Sequence, residues 1–140
     1  FEESLKISKK IEDKETEIES LANIAEVWEK KGKIKRAMKY YNDVMSGAKS
    51  VGNKYIFIYA ILKIGILYYQ RGEYDKSIAI LNESIRSARE LNLDDLYYQS
   101  LLTVTRVYMK LGFYDRAMEI FKKFPSDIAI PVIKGEMLEL

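Results

Sequence analysis

The sequence predicts an all-α chain, an α-solenoid (superhelix) of tandem helix-turn-helix hairpins, and three observations carry that prediction. Gly32, Gly72 and Gly112 stand 40 residues apart. Upstream of each glycine an apolar stripe recurs at spacings of three and four: Leu21, Ile24, Ala25, Trp28; then Ile61, Ile64, Gly65, Tyr68; then Leu101, Val104, Thr105, Tyr108. Downstream a second stripe recurs: Ile34, Ala37, Tyr41, Val44; then Tyr74, Ser77, Leu81, Ile85; then Tyr114, Ala117, Phe121, Phe124. Both spacings describe one face of a helix, and a repeat of this length is one supersecondary unit that buries its apolar face by stacking on its neighbours.

Each element follows from local chemistry. Ala25, Gly65 and Thr105 are small residues in otherwise bulky stripes, which lets the second helix of each hairpin approach the first closely. The recurring glycines mark the turn inside each hairpin, because glycine takes positive φ without strain. Gly52-Asn53 and Asn92 mark the turns between hairpins. The resulting units are 13–52, 53–92 and 93–125. Phe1, Leu5, Ser8 and Ile11 lie 40 residues before Tyr41, Met45, Ala48 and Val51, so residues 1–12 are expected to be the tail helix of a preceding repeat. Residues 126–140, with Pro131 ahead of Val132, Ile133, Met137 and Leu138, are expected to start a further or capping helix. On this register the native protein is expected to continue beyond the given residues.

The three runs together resemble the tetratricopeptide repeat (TPR), whose pattern of a leucine or aromatic, leucine-glycine, tyrosine, turn glycine, alanine and phenylalanine maps onto the residues just quoted. Two departures stand out. The period is 40 against the common family period of about 34, and the proline that usually closes each repeat is absent. Longer helices account for both. The long period is similar to that of TPR arrays in bacterial peptide-sensing regulators and in spindle-orientation scaffolds. The resemblance implies a surface that binds protein or peptide in a concave groove.

Composition narrows the chemistry. The chain has neither cysteine nor histidine, so disulfides, thiolate metal sites and the commonest general base and metal ligand are missing from these 140 residues. No glycine-rich phosphate loop occurs, and no cofactor or metal is expected. Asp75 and Asp115 follow a tyrosine at a helix start, where a carboxylate is favoured by the helix dipole, so catalysis is not assigned to them. An enzyme is therefore not expected. No apolar run is long enough to span a bilayer, and no secretory signal pattern opens the chain, which points to the cytoplasm. The abundance of Lys, Glu, Ile and Tyr with few glutamines is thermophile-like, and equally what an AT-rich genome gives.

Charge is balanced overall, with 23 Lys and Arg against 21 Asp and Glu, yet Lys30, Lys31, Lys33, Lys35, Arg36 and Lys39 crowd around the first turn. Such a cluster suits phosphates or an acidic partner. The plainer reading is that several of these cations cap a helix C-terminus and the rest face water. Without interleaved aromatics or a nucleic-acid module, nucleic acid is not the expected partner.

The TPR resemblance places the groove on the faces of the first helices that the core stripe leaves free. Those positions are Glu19, Ala22, Asn23, Glu26 and Glu29; then Tyr59, Leu62, Lys63, Ile66 and Tyr69; then Gln99, Leu102, Thr103, Arg106 and Met109. The expected groove is acidic at one end, apolar in the middle and mildly basic at the other. Tyr41, Tyr68, Tyr74, Tyr108 and Tyr114 fill core positions, whereas Tyr59 and Tyr69 are spare and suit ligand anchoring. An apolar or amphipathic segment across Leu62, Ile66 and Leu102, with a basic residue reaching Glu26 or Glu29, is the expected ligand. A homo-oligomer through the same concave face is the competing expectation. The asparagines that hold a terminal carboxylate in chaperone-tail binders have no counterpart here. A second function follows from the same resemblance: a peptide-sensing regulatory domain of a larger signalling or transcription protein.

Overall fold

The structure, a computed structural model, describes residues 2–125. These form six α-helices: α1 (Glu2–Lys30), α2 (Ile34–Val51), α3 (Lys54–Gln70), α4 (Tyr74–Glu90), α5 (Asp94–Leu111) and α6 (Tyr114–Phe121). Each helix packs on the next in sequence, and α3 also packs on α5. The first helices of the three hairpins, α1, α3 and α5, thus share one layer, and α2, α4 and α6 form the other. The second helices begin at Ile34, Tyr74 and Tyr114, which reproduces the spacing of 40. The expected helix in 126–140 lies outside the described residues.

All five turns use one device. Gly32, Gly52, Gly72, Asn92 and Gly112 have positive φ, between +56° at Asn92 and +81° at Gly112. At Gly72 the amide donates to Tyr69 O at 3.0 Å, and the next amide, of Glu73, donates to Tyr68 O at 2.9 Å. This pair closes a helix with a left-handed residue and satisfies carbonyls that otherwise end without partners. The same two bonds recur at the other four turns, with Asn92 standing where the others have glycine. At the start of α3, Asn53 adds a side-chain cap, accepting from the Ile56 amide at 3.0 Å.

No such turn separates residues 12 and 13. The expected tail helix over 1–12 is instead continuous with α1, which runs unbroken from Glu2 to Lys30. The reason is local: the positions 40 before Gly52-Asn53 hold Glu12-Asp13, and no glycine or asparagine offers a left-handed break. Lys14 Nζ donates to Ser50 Oγ at 3.3 Å, so the turns of α1 before Lys14 extend past the end of α2. Leu5, Ile7 and Ile11 are exposed there.

The small residues lie where the sequence places them, with Ala25, Gly65 and Thr105 all buried. A Cβ on Gly65 would stand 2.6 Å from Leu81 Cδ2 and 2.7 Å from its Cγ. The absence of that carbon lets α4 lie against α3. Ser77 Oγ then reaches the Gly65 carbonyl at 2.7 Å, which satisfies a buried hydroxyl.

Two clusters make most of the core. Ala25, Ala37, Met38, Tyr41, Ile64 and Leu67 join the first hairpin to α3. Ile58, Leu62, Leu81, Ala88, Leu96 and Val104 join α3 to α4 and α5. Since α3 contributes to both, it is apolar on nearly every side. Two core assignments are corrected. Ile24 is 40% exposed although its equivalents Ile64 and Val104 are buried, because those two pack on a preceding hairpin and no described element precedes α1. Tyr114 is 54% exposed, because no described element follows α6 to cover it.

Candidate functional site

The layer of α1, α3 and α5 carries a connected set of side chains that cross from helix to helix. Glu29 on α1 sits at its centre: its Oε1 accepts from the Tyr41 hydroxyl at 2.9 Å and lies 3.6 Å from Lys63 Nζ on α3. One turn earlier, Glu26 Oε1 accepts a hydrogen bond from the Tyr59 hydroxyl. The two tyrosine rings meet edge-on, with centroids 6.4 Å apart, and Lys63 Nζ lies 5.7 Å from the centre of the Tyr59 ring. Tyr55, two turns toward the start of α3 from Lys63, donates to Asp95 on α5 at 3.2 Å. Tyrosine hydroxyls and carboxylates thus tie α1 to α3 and α3 to α5.

Electrostatics follow from this geometry. Burial, reinforced by the hydrogen bond and negative charge of Glu29, pushes the Tyr41 hydroxyl well above the ordinary tyrosine range. Burial, then the bond to Glu26, does the same for Tyr59. Tyr55 is raised by burial and then by Asp95. All three phenols therefore act as donors to carboxylates.

Four expected site residues, Glu26, Glu29, Tyr59 and Lys63, are brought together in this set. Glu19, Asn23 and Gln99 are exposed beside it, and Ala22, Ile66 and Arg106 are partly covered. Tyr69 is also partly covered, its ring 6.0 Å from that of Tyr74. Three expected groove residues lie inside the protein instead. Leu62 is 0% exposed, because its side of α3 faces Leu81, Leu96 and Val104 rather than the open face. Thr103 is buried because its side chain is short and its hydroxyl turns back to the Gln99 carbonyl at 2.9 Å. Met109 is buried within the last turn of α5.

The apolar middle is accordingly smaller than expected. Leu102 packs toward Leu101 and Phe124, which leaves Ile66 and Tyr59 as its substance. Glu29 is matched by Lys63 within the chain, so Glu26, Glu19 and Asp95 carry the acidic character of the face. Sequence reasoning missed Tyr55, 45% exposed, and its bond to Asp95. A signal was present: Tyr55 and Asp95 occupy equivalent positions 40 residues apart, so they stand side by side on neighbouring first helices.

Among the described residues no cluster of acidic side chains is arranged to hold a metal ion, and no helix is long and apolar enough to cross a membrane.

Comparison with known proteins agrees with the architecture. The chain resembles the crystal structure of aspartyl phosphate phosphatase F from Bacillus subtilis, with a TM-score of 0.71 and 17% sequence identity over 85% of this chain. It spans 30% of the length of that protein, and at this identity the likeness shows the fold, a tetratricopeptide-like helical solenoid. No curated protein matches the sequence. Residues 4–123, which include nearly all of the six helices, match the RNPP family C-terminal domain, and the chain belongs to that family.

Proposed function

We propose that the face of α1, α3 and α5 is a peptide-binding groove and that the chain works as a protein-protein interaction scaffold without chemistry of its own. Domains of the RNPP family bind peptides. The observation that carries the reading here is the fixed cross-helix set of Tyr59, Glu26, Lys63 and Glu29, bordered by partly covered Ile66. Anchors already held in place lose little freedom when a ligand arrives, and tyrosine offers area and a hydroxyl at once. A peptide with an apolar residue over Ile66 and a cation toward Glu26 or Glu19 matches this chemistry. The repeats are read as units 13–52, 53–92 and 93–125 of the long, 40-residue TPR variety, acting in the cytoplasm.

The second reading, a peptide-sensing regulatory domain of a larger signalling or transcription protein, is favoured by a specific observation: the matching family is defined as a C-terminal domain, a part of longer chains. Self-association through the same face competes with peptide for Ile66.

A random peptide library panned against the protein, followed by calorimetry with a selected peptide, tests the groove. Ile66→Glu is expected to keep helical circular dichroism and to weaken binding by about tenfold or more, equivalent to at least about 1.4 kcal/mol. Asp43→Lys on the outer layer serves as the control and should bind normally. Equal affinity in the wild type and Ile66→Glu would sink the assignment. Light scattering on the same proteins separates self-association, which Ile66→Glu should abolish if two copies meet here.

A further inference from the structure

We propose that the cleft between the tips of the first two hairpins is a second binding site, which takes a carboxylate-rich segment of a protein partner. The cleft has a volume of about 570 Å³ and is lined by Gly32, Lys33, Ile34, Lys35, Arg36 and Arg71. Four of these six residues are cations and none is acidic. The net charge of the whole chain is only +2, so this is a local separation of charge and not a generally basic surface. Lys30, Lys31 and Lys39 extend the same field along the sequence.

The cations are not used up inside the protein. Among the described residues, Lys30, Lys33, Lys35 and Lys39 form no ion pair. Arg71 is held through Nε, 3.2 Å from Glu73 Oε2, and a guanidinium has four further N–H donors. The first turn of α2 opens at the cleft with no acidic residue and no side-chain cap, so the positive end of the helix adds to the field. The corresponding turns of α4 and α6 contain Asp75 and Asp115. Gathering like charges repels unless an anion arrives, and among the described residues the ion pairs supply only Glu73, at Arg71.

The chemistry of the lining selects among anions. None of the six lining residues is aromatic, and the ring at the tip of the first hairpin, that of Trp28, is already covered by Arg36, 4.6 Å from its centre, and by Lys31 at 5.4 Å. The lining thus offers no ring for stacking a base, which single-stranded nucleic acid sites rely on. A lone inorganic anion would meet only part of a cleft whose cations come from two hairpins. Several carboxylates on one flexible segment can meet lysines and an arginine together, through charge-assisted hydrogen bonds. This site lies at the hairpin tips and stands or falls independently of the groove.

Fluorescence anisotropy with a labelled oligoglutamate peptide at low salt tests the proposal. The wild-type chain should bind, and Lys33→Glu with Lys35→Glu should weaken binding by about tenfold or more, the electrostatic effect expected at a complementary surface. Lys9→Glu with Lys10→Glu makes the same change of net charge on α1 away from the cleft and should leave binding intact. Equal weakening by both pairs, or no binding by the wild type, overturns the site. Tighter binding of an oligothymidylate or of inorganic phosphate than of the peptide overturns the assignment to a protein segment. If charge reversal disturbs the helices, Lys33→Gln with Lys35→Gln must give a loss in the same direction, or the proposal fails.

Discussion

The Tyr59 hydroxyl on α3 donates to Glu26 on α1, across 33 residues of sequence, while the Tyr59 ring rests against the ring of Tyr41. This pairing makes stability sensitive to alkali. Tyr41 and Tyr59 are raised above the ordinary value of 10.0, so below pH 10 both stay protonated in folded and unfolded chains alike. Above pH 10 the unfolded chain loses protons that the folded chain keeps, and stability falls by up to about 1.4 kcal/mol per pH unit for each tyrosine. Urea denaturation between pH 8 and about 11 should show this decline. Tyr41→Phe with Tyr59→Phe should flatten it, at some cost to stability throughout because Glu26 and Glu29 lose their donors. An unchanged slope in the double variant would show that neither phenol is held as described.

Leu62 and Ile66 are one turn apart on α3 and should behave oppositely. Leu62→Ala is expected to cost about 2–5 kcal/mol, as a truncation in a filled core, and Leu62→Glu to abolish the folded state. Ile66→Glu places its carboxylate on the open side and should stay helical. Thermal melts by circular dichroism decide this, and a folded Leu62→Glu protein would displace the register of α3.

Gly65 is a close approach, not a turn. Gly65→Ala should destabilise by about 1–3 kcal/mol, since the new carbon overpacks against Leu81. Ala37→Leu and Ala117→Leu probe the buried alanines of the first and third hairpins, and the loss should be larger at Ala37 because it is the more completely enclosed. Urea midpoints unmoved by any of the three would mean that the helices do not cross at these residues.

At the turns, Gly72→Pro should cost more than Gly52→Ala. Both residues have positive φ, and alanine pays about 1–2 kcal/mol there. Proline cannot take this φ at all and also removes the amide bonded to Tyr69 O. Asn92→Gly should be neutral or stabilising by up to about 1 kcal/mol, since it relieves a left-handed asparagine. A large loss at Asn92→Gly would mean that its side chain contributes more than backbone conformation.

The turns and small residues were legible in the sequence because each is a local requirement that one residue type meets: positive φ at Gly72, close approach at Gly65. The open side of α3 was not legible. From Tyr55 to Tyr69 the helix is apolar but for Lys63, so hydrophobic period alone does not distinguish Leu62, which faces α4 and α5, from Ile66, which borders the groove. Lys63 marked the open side, and Tyr59, one turn before it, follows the same line. Exposure of Ile24 and Tyr114 was hidden for another reason. A repeat pattern assigns the same role to equivalent positions, whereas burial depends on whether a neighbour is present to cover them.

Trp28 is the single tryptophan of the chain, and it stands at the tip of the first hairpin beneath Arg36 and Lys31. Its emission therefore senses one corner of the molecule, while far-ultraviolet dichroism averages over every helix. Coincident melting by the two signals means that the solenoid comes apart as a whole, and divergence means that it frays from an end. The same indole lies next to the cationic cleft, so an anion that draws Arg36 or Lys31 away from the ring alters the fluorescence without any attached dye.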